Sequence, residues 1–128
     1  MTAPFEDATR LDRLVHEPAR LAILTALDAC ASADFLFLHR LTGLTVGNLS
    51  AHLAKLEEAR LVTVGKQFIG RIPNTQAAIT KEGRAALRRH WRGLQRLRKG
   101  GADLRGQQRR SATPASQPLP AQGSTARP

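Results

Sequence analysis

The stretch Phe35-Leu-Phe-Leu-His-Arg-Leu-Thr-Gly-Leu-Thr-Val-Gly-Asn-Leu-Ser-Ala-His-Leu-Ala-Lys-Leu-Glu-Glu-Ala59 decides the fold of this 128-residue chain. It divides at Gly43 into two short helical segments. Asp34 stands where it can cap the first, Phe35 to Thr42, and Gly43 ends it by taking the left-handed conformation cheaply. Thr45 caps the second, Val46 to about Ala59. At 100° per residue Leu49, Leu53 and Leu56 share one face of that second helix, with Val46 at its edge, which marks the side turned to a core. The opposite face gathers Gly47, Ala51, Ala54, Lys55 and Glu58, flanked by Asn48, Ser50 and His52.

Upstream, Leu11, Leu14 and Val15 begin a short amphipathic helix. A stronger one follows Pro18, which sits at the first helical position, where its missing N–H is no loss. Leu21, Leu24 and Leu27 supply its apolar stripe. Downstream, Leu61-Val-Thr-Val-Gly-Lys-Gln-Phe-Ile is β-branched and roughly alternating and reads as a strand. Gly70-Arg-Ile-Pro-Asn74 is turn chemistry, and Thr75 to Ile79 returns as a second strand. Thr80 caps a last helix running to about Lys99. After Gly100-Gly101 the chain is mostly Gln, Ser, Thr, Pro, Gly and Ala and is expected to be disordered. The domain plan is therefore an N-terminal extension over 1–9, a folded domain over 10–99 and a basic tail over 100–128. The class is mainly α with a small two-stranded hairpin: a winged helix-turn-helix with the hairpin as wing and a C-terminal helix for dimerisation.

The formal net charge of +10 has to be located before it means anything. Residues 1–80 carry 8 basic and 8 acidic side chains. Residues 81–99 carry 8 basic groups against Glu82, and residues 100–128 carry 4 against Asp103. The basicity belongs to the last helix and the tail, so it says little about the helix pair. Cys30 is the one cysteine, expected as a small buried hydrophobe in an apolar helix rather than a redox group. The four histidines have no second ligand at metal spacing, so no metal or cofactor is expected. No phosphate loop, dinucleotide fingerprint or nucleophile–base pair occurs, and an enzyme is not expected. With no apolar run of about 18 residues and an acidic N-terminus, neither a membrane span nor a signal peptide is expected; the compartment expected is cytoplasmic.

A helix that presents small polar groups outward suits the major groove of duplex DNA. Its N-terminal part enters, which favours Thr45, Gly47, Asn48, Ser50, Ala51, His52 and Lys55. Asn48 can pair with adenine, Ser50 can meet a base or phosphate, and Lys55 suits phosphate or guanine. Gly47 and Ala51 let the backbone approach, whereas Glu57 and Glu58 should lie outside the contact. Lys66, Arg71 and Asn74 place cationic and polar groups on the wing, where Pro73 stiffens the tip. In the last helix Leu87, Trp91, Leu94 and Leu97 form a stripe that, with Leu11 and Leu14, is expected to meet a second subunit. Burial by dimerisation also suits a domain of about 90 residues, which hides only about 60–65% of its unfolded surface alone.

Three segments then carry a family resemblance: Leu11-Asp-Arg-Leu-Val-His-Glu-Pro-Ala-Arg-Leu-Ala-Ile-Leu-Thr-Ala-Leu, Ala33-Asp-Phe-Leu-Phe-Leu and Leu44-Thr-Val-Gly-Asn-Leu-Ser-Ala-His-Leu-Ala-Lys-Leu-Glu-Glu-Ala. With Thr80-Lys-Glu-Gly-Arg-Ala-Ala-Leu they resemble the compact MarR/ArsR-like winged-helix transcriptional regulators, over roughly residues 10–98. The resemblance implies a homodimeric DNA-binding repressor or activator on an inverted-repeat operator, a repressor being the expectation. It leaves any small-molecule effector unidentified. Such sequences usually carry glycine after Glu-Glu-Ala, where this chain has Arg60. Either the turn there adopts another geometry, or a phosphate contact by Arg60 offsets a cost of roughly 1 kcal/mol. Two other readings stay open: a basic protein that binds nucleic acid without sequence preference, and a winged helix that holds a partner protein.

Overall fold

Each helix of the first half starts on a side chain that accepts an otherwise unpaired backbone N–H. In the computed structural model, which describes Phe5, Glu6 and residues 11–111, Asp12 caps α1 (Arg13–His16) through the Leu14 amide at 2.9 Å. Glu17 caps α2 (Pro18–Cys30) through the Arg20 amide at 2.9 Å, with Pro18 at the first helical position. That amide also holds the Glu17 carboxyl below its ordinary pKa. Asp34 caps α3 (Phe35–Thr42) through Phe37 at 2.7 Å, and Gly43 closes it with φ 72°. Thr45 caps α4 (Val46–Glu58) through the Asn48 amide at 3.1 Å. The expected helix-turn-helix is present, cap for cap.

The sheet is larger than expected. Ser32–Asp34 forms a short strand, β1, beside the hairpin of β2 (Val62–Ile69) and β3 (Ile72–Ile79), in the antiparallel order β1-β3-β2. Its register sets Ser32 opposite Ala78 and Asp34 opposite Gln76. The hairpin turn is also tighter than Gly70–Asn74: only Gly70 and Arg71 lie outside the strands, and Ile69 pairs with Ile72. Gly70, at φ 65°, supplies the positive φ such a two-residue turn needs at its first position. Pro73 is accommodated inside β3 opposite Phe68. There the ladder alternation turns its nitrogen away from β2, and β1 reaches only Gln76 to Ala78 on the other side.

Leu49, Leu53 and Leu56 of α4 are buried against Val15, Ile23, Leu24, Leu27 and Leu38 from the preceding helices and Leu61, Val62, Ala77 and Ile79 from the sheet. Each such leucine, isoleucine or valine contributes about 1.5–3 kcal/mol by leaving water. Val46, expected at the edge of this face, is exposed instead. Cys30 is exposed as well. Core packing of α2 ends at Leu27, and Ala31 turns the chain away at φ 68° towards β1.

The last helix, α5 (Lys81–Ser111), does not stop near Lys99 but runs through Gly100-Gly101 for 31 residues. The two glycines cost about 1 kcal/mol each relative to alanine, yet leucine, arginine, lysine and glutamine on both sides are good helix formers. Residues 100–111 are therefore helical, and the remainder of the expected tail lies outside the described residues, as does most of the 1–9 extension. The start of α5 is locked to the rest of the fold. The Thr80 hydroxyl accepts from the Gly83 amide at 2.9 Å and faces the carbonyls of Arg60 at 2.7 Å and Leu61 at 3.0 Å. A Cβ on Gly83 would run into the Leu61 carbonyl oxygen, so this crossing admits only glycine.

Candidate nucleic-acid interface

The outward face of α4 is free of the protein's own body. Gly47, Asn48, Ser50, Ala51, Ala54 and Lys55 are all exposed, and a Cβ added at Gly47 would meet nothing within 4 Å. Thr45 is exposed too, its hydroxyl engaged as the cap. The helix-turn-helix angle is held by His39, whose Nδ1 meets the Leu44 carbonyl at 2.7 Å across the Gly43 turn. The Thr42 hydroxyl adds a bond to the Leu38 carbonyl at 2.7 Å and accepts from the Leu44 amide at 3.3 Å.

His52 departs from the expected set. It is half-buried, and its Nδ1 accepts from Arg20 Nη1 at 3.1 Å, since a guanidinium only donates. Arg20 Nε also bonds the Leu14 carbonyl at 2.7 Å, so this one side chain ties α1, α2 and α4 together. His52 thus belongs to a structural clamp rather than to the open face. Sequence pattern placed it on the flank correctly but could not show that Arg20, 32 residues earlier, turns towards it.

The wing stands beside α4. Between them runs a cleft of about 460 Å³ lined by Ser50, Ala54 and Glu57 on one side and Val64, Lys66 and Thr75 on the other. Lys66 and Arg71 are exposed on the ribbon, and half-buried Asn74 accepts from the Gln76 amide group at 3.2 Å. The tip carries more apolar surface than a charged wing was expected to: Phe68, Ile69 and Ile72 are all exposed.

Arg60 answers the geometric half of the question left open by the sequence. It adopts φ 65°, the geometry glycine usually supplies, so the turn is not remodelled. The Leu61 amide bonds the Leu56 carbonyl and the Arg60 amide bonds that of Glu57, both at 2.9 Å. Leu61 and Leu56 are both buried, which completes a Schellman end to α4. These bonds, and the Thr80 hydroxyl on the Arg60 carbonyl, hold the left-handed arginine in place.

The α5 surface also differs from expectation. Its buried face is Gly83, Ala86, Leu87, His90 and Gly93. Leu87 is 2% exposed and sits in the domain's own core, Leu14 packs against that core, and Leu11 lies over Gly93. Leu87 is therefore not available to a second subunit, whereas Leu11 and Leu14 are half-buried and keep part of their surface open. Trp91, Leu97 and Leu104 are exposed, and half-buried Leu94 lies between them. No group of three or more His, Cys, Asp or Glu side chains is arranged for a metal among the described residues, and none of their helices is long and apolar enough to cross a membrane.

Comparison with known proteins agrees with this architecture. The winged helix DNA-binding domain family matches residues 19–97, and the chain belongs to that family. A relative in Methanocaldococcus jannaschii, itself uncharacterised, is 37% identical over 78 residues, covering 61% of this chain and 85% of the relative. Among solved structures, a transcriptional regulator homologue from Pyrococcus horikoshii OT3 aligns with a TM-score of 0.70 at 29% identity, over 74% of this chain and 96% of that one. A MarR-family regulator from Enterococcus faecalis V583 shares the fold at a TM-score of 0.56 and 20% identity, over 86% of this chain and 96% of that one.

Proposed function

We propose that the protein is a sequence-specific transcriptional regulator, acting as a repressor, that binds an inverted-repeat operator as a homodimer. The observation that carries this is the unobstructed face of α4. Gly47 stands in the first turn of α4, where glycine costs less than the roughly 1 kcal/mol of a helix interior but still favours helix less than alanine, and it has neither a positive φ nor a close neighbour to account for it. Close approach by something outside the chain accounts for it, and a base pair edge in the major groove fits. Asn48, Ser50, Ala51 and Lys55 then supply base and phosphate contacts, with Lys66 and Arg71 of the wing on the backbone. His52 drops out of the contact set.

The dimer rests on α5. Its apolar stripe leaves the domain body after Gly93 and continues through Leu94, Leu97 and Leu104 at helical spacing, and a second α5 would cover it. Two-fold symmetry then sets the two α4 helices about 34–36 Å apart, one turn of duplex between half-sites. A groove of about 410 Å³ between Leu11 and α5, with Asp12, His90 and Arg92 in its lining, is where we place any small effector. Selection of genomic fragments by the purified full chain tests the whole reading. A two-fold motif that survives competitor DNA supports it. Retention that competitor abolishes favours the non-specific alternative, and recovery of no duplex favours a protein-binding winged helix.

A further inference from the structure

The tip of the wing is an apolar object that the fold does not require. Phe68 and Ile72 are each 70% exposed and Ile69 is 59% exposed. The turn itself needs only Gly70 and Arg71, and the buried positions of the ribbon, Val62, Ala77 and Ile79, all lie at its root. Opposed residues in an antiparallel pair share a face, and successive residues alternate. Ile69 and Ile72 therefore occupy one face of the tip, and Phe68 and Pro73 the other. A flat partner surface would cover only one of these faces. Insertion between two walls covers both.

The surroundings identify the walls. From Ala59 to Lys81 the sequence has no Asp or Glu, while Arg60, Lys66, Arg71 and Lys81 are basic. An acid-free ribbon with Arg71 at its apex is suited to pass between two phosphate strands. Strands of eight residues place the tip roughly 20–25 Å from the root, and the ribbon is continuous with the α4 face through the cleft that Ser50 and Ala54 share with Lys66 and Thr75. A second copy of the chain is the weaker candidate, because stable protein interfaces engage about 20–30 residues a side and the tip offers four.

Building on the DNA-binding function proposed above, we infer that the wing tip is an apolar wedge. It enters the minor groove next to the α4 site, unstacks a base step with Phe68, Ile69 and Ile72, and bends the duplex towards the major groove. Flexible pyrimidine–purine steps are the easiest to open, so the operator should carry TA or CA/TG beneath the wing although no side chain hydrogen-bonds them.

The test uses the full chain and a duplex that it selects from a random pool, labelled at both ends for energy transfer. The wild type should bend it by about 20–90°. Phe68→Gln/Ile72→Thr alters only exposed side chains, so thermal melting should be unchanged. This variant should lose most of the bend and bind roughly tenfold more weakly, with the salt dependence of affinity unaltered because no phosphate contact is removed. Lys66→Gln should do the reverse, keeping the bend and lowering the log–log salt slope by about 0.9. A duplex bound straight by the wild type, or a bend indifferent to the double substitution, overturns the wedge and leaves the proposed regulator standing. A drop in sedimenting mass of the variant without DNA assigns the tip to a second copy and likewise overturns it. If no duplex is recovered, the proposed function falls and the wedge with it.

Discussion

Two helical glycines in this protein answer to different masters. Gly83, at the start of α5, is pressed so closely on the Leu61 carbonyl that no side chain fits. Gly47, on α4, faces open space and has a helical backbone that any residue adopts. The first is explained entirely within the chain. The second is explained by nothing within it. The contrast separates residues chosen by the fold from residues chosen by what the fold meets, and it extends to their neighbours. Thr80, Arg60 and Leu87 belong with Gly83; on the function proposed above, Asn48, Lys55 and the exposed leucines of α5 belong with Gly47.

Substitutions can break this division. Gly83→Ala should be the most damaging, costing about 3 kcal/mol or preventing folding altogether, since the obstacle is backbone. Urea unfolding at fixed protein concentration reads it, and a loss below about 1 kcal/mol would mean that the crossing yields more easily than its geometry indicates. Leu97→Glu/Leu104→Glu lies on the other side of the division. It should leave the domain folded and turn a dimer into a monomer in sedimentation, with operator affinity falling by about 100-fold or more as the second half-site is lost.

Arg60→Gly should stabilise by about 0.5–1 kcal/mol, because glycine takes φ 65° without penalty, and should leave operator binding unchanged. A large loss of binding would return Arg60 to the contact surface. Gly47→Ala should also stabilise, by about 0.5–1 kcal/mol, while weakening operator binding. That opposition of stability and binding is the sharpest test: a variant that gains both would remove the case for close approach at α4.

The smallest effect expected concerns His90, which is 2% exposed with neither ring nitrogen hydrogen-bonded. Burial, and next the nearby His16 with ring centroids 5.1 Å apart, hold its pKa below the ordinary value, against a weaker opposite pull from Asp12. The unfolded chain therefore takes up a proton near pH 6.5 that the folded chain refuses. Stability should be full above that pH and decline below it, at no more than about 1.4 kcal/mol per pH unit. His90→Leu should flatten this part of the profile, and an unaltered profile would assign the acid loss elsewhere.

Local chemistry makes the helix-turn-helix legible in the sequence. Asp34, Gly43, Thr45 and Thr80 each do what their side chains or backbone freedom predict. What escaped was non-local or cumulative. Three residues, Ser32–Asp34, pair with β3 over 40 positions away, which no periodicity signals. The full length of α5 was written in Leu97 and Leu104, yet two glycines outweighed them as punctuation. Leu87 and Trp91 lie four apart and read as one stripe, but the core takes Leu87 and leaves Trp91 41% exposed. On the α4 face, the exposed positions followed from the leucine spacing, whereas the diversion of His52 depended on Arg20 from another helix.

The hydroxyl of Thr80 sits where three roads meet: the end of α4, the root of β2 and the first turn of α5 all converge on it within 3.0 Å. Because Gly83 allows no gap there, α5 cannot tilt without dragging the base of the wing and the terminus of α4 along. In the proposed homodimer, whatever holds two copies of α5 at a given angle would also set the pitch at which both α4 helices meet the duplex. Geometry at such a subunit contact would in this way be transmitted, through one oxygen atom and one missing methyl, to the spacing of the sites the proposed dimer reads.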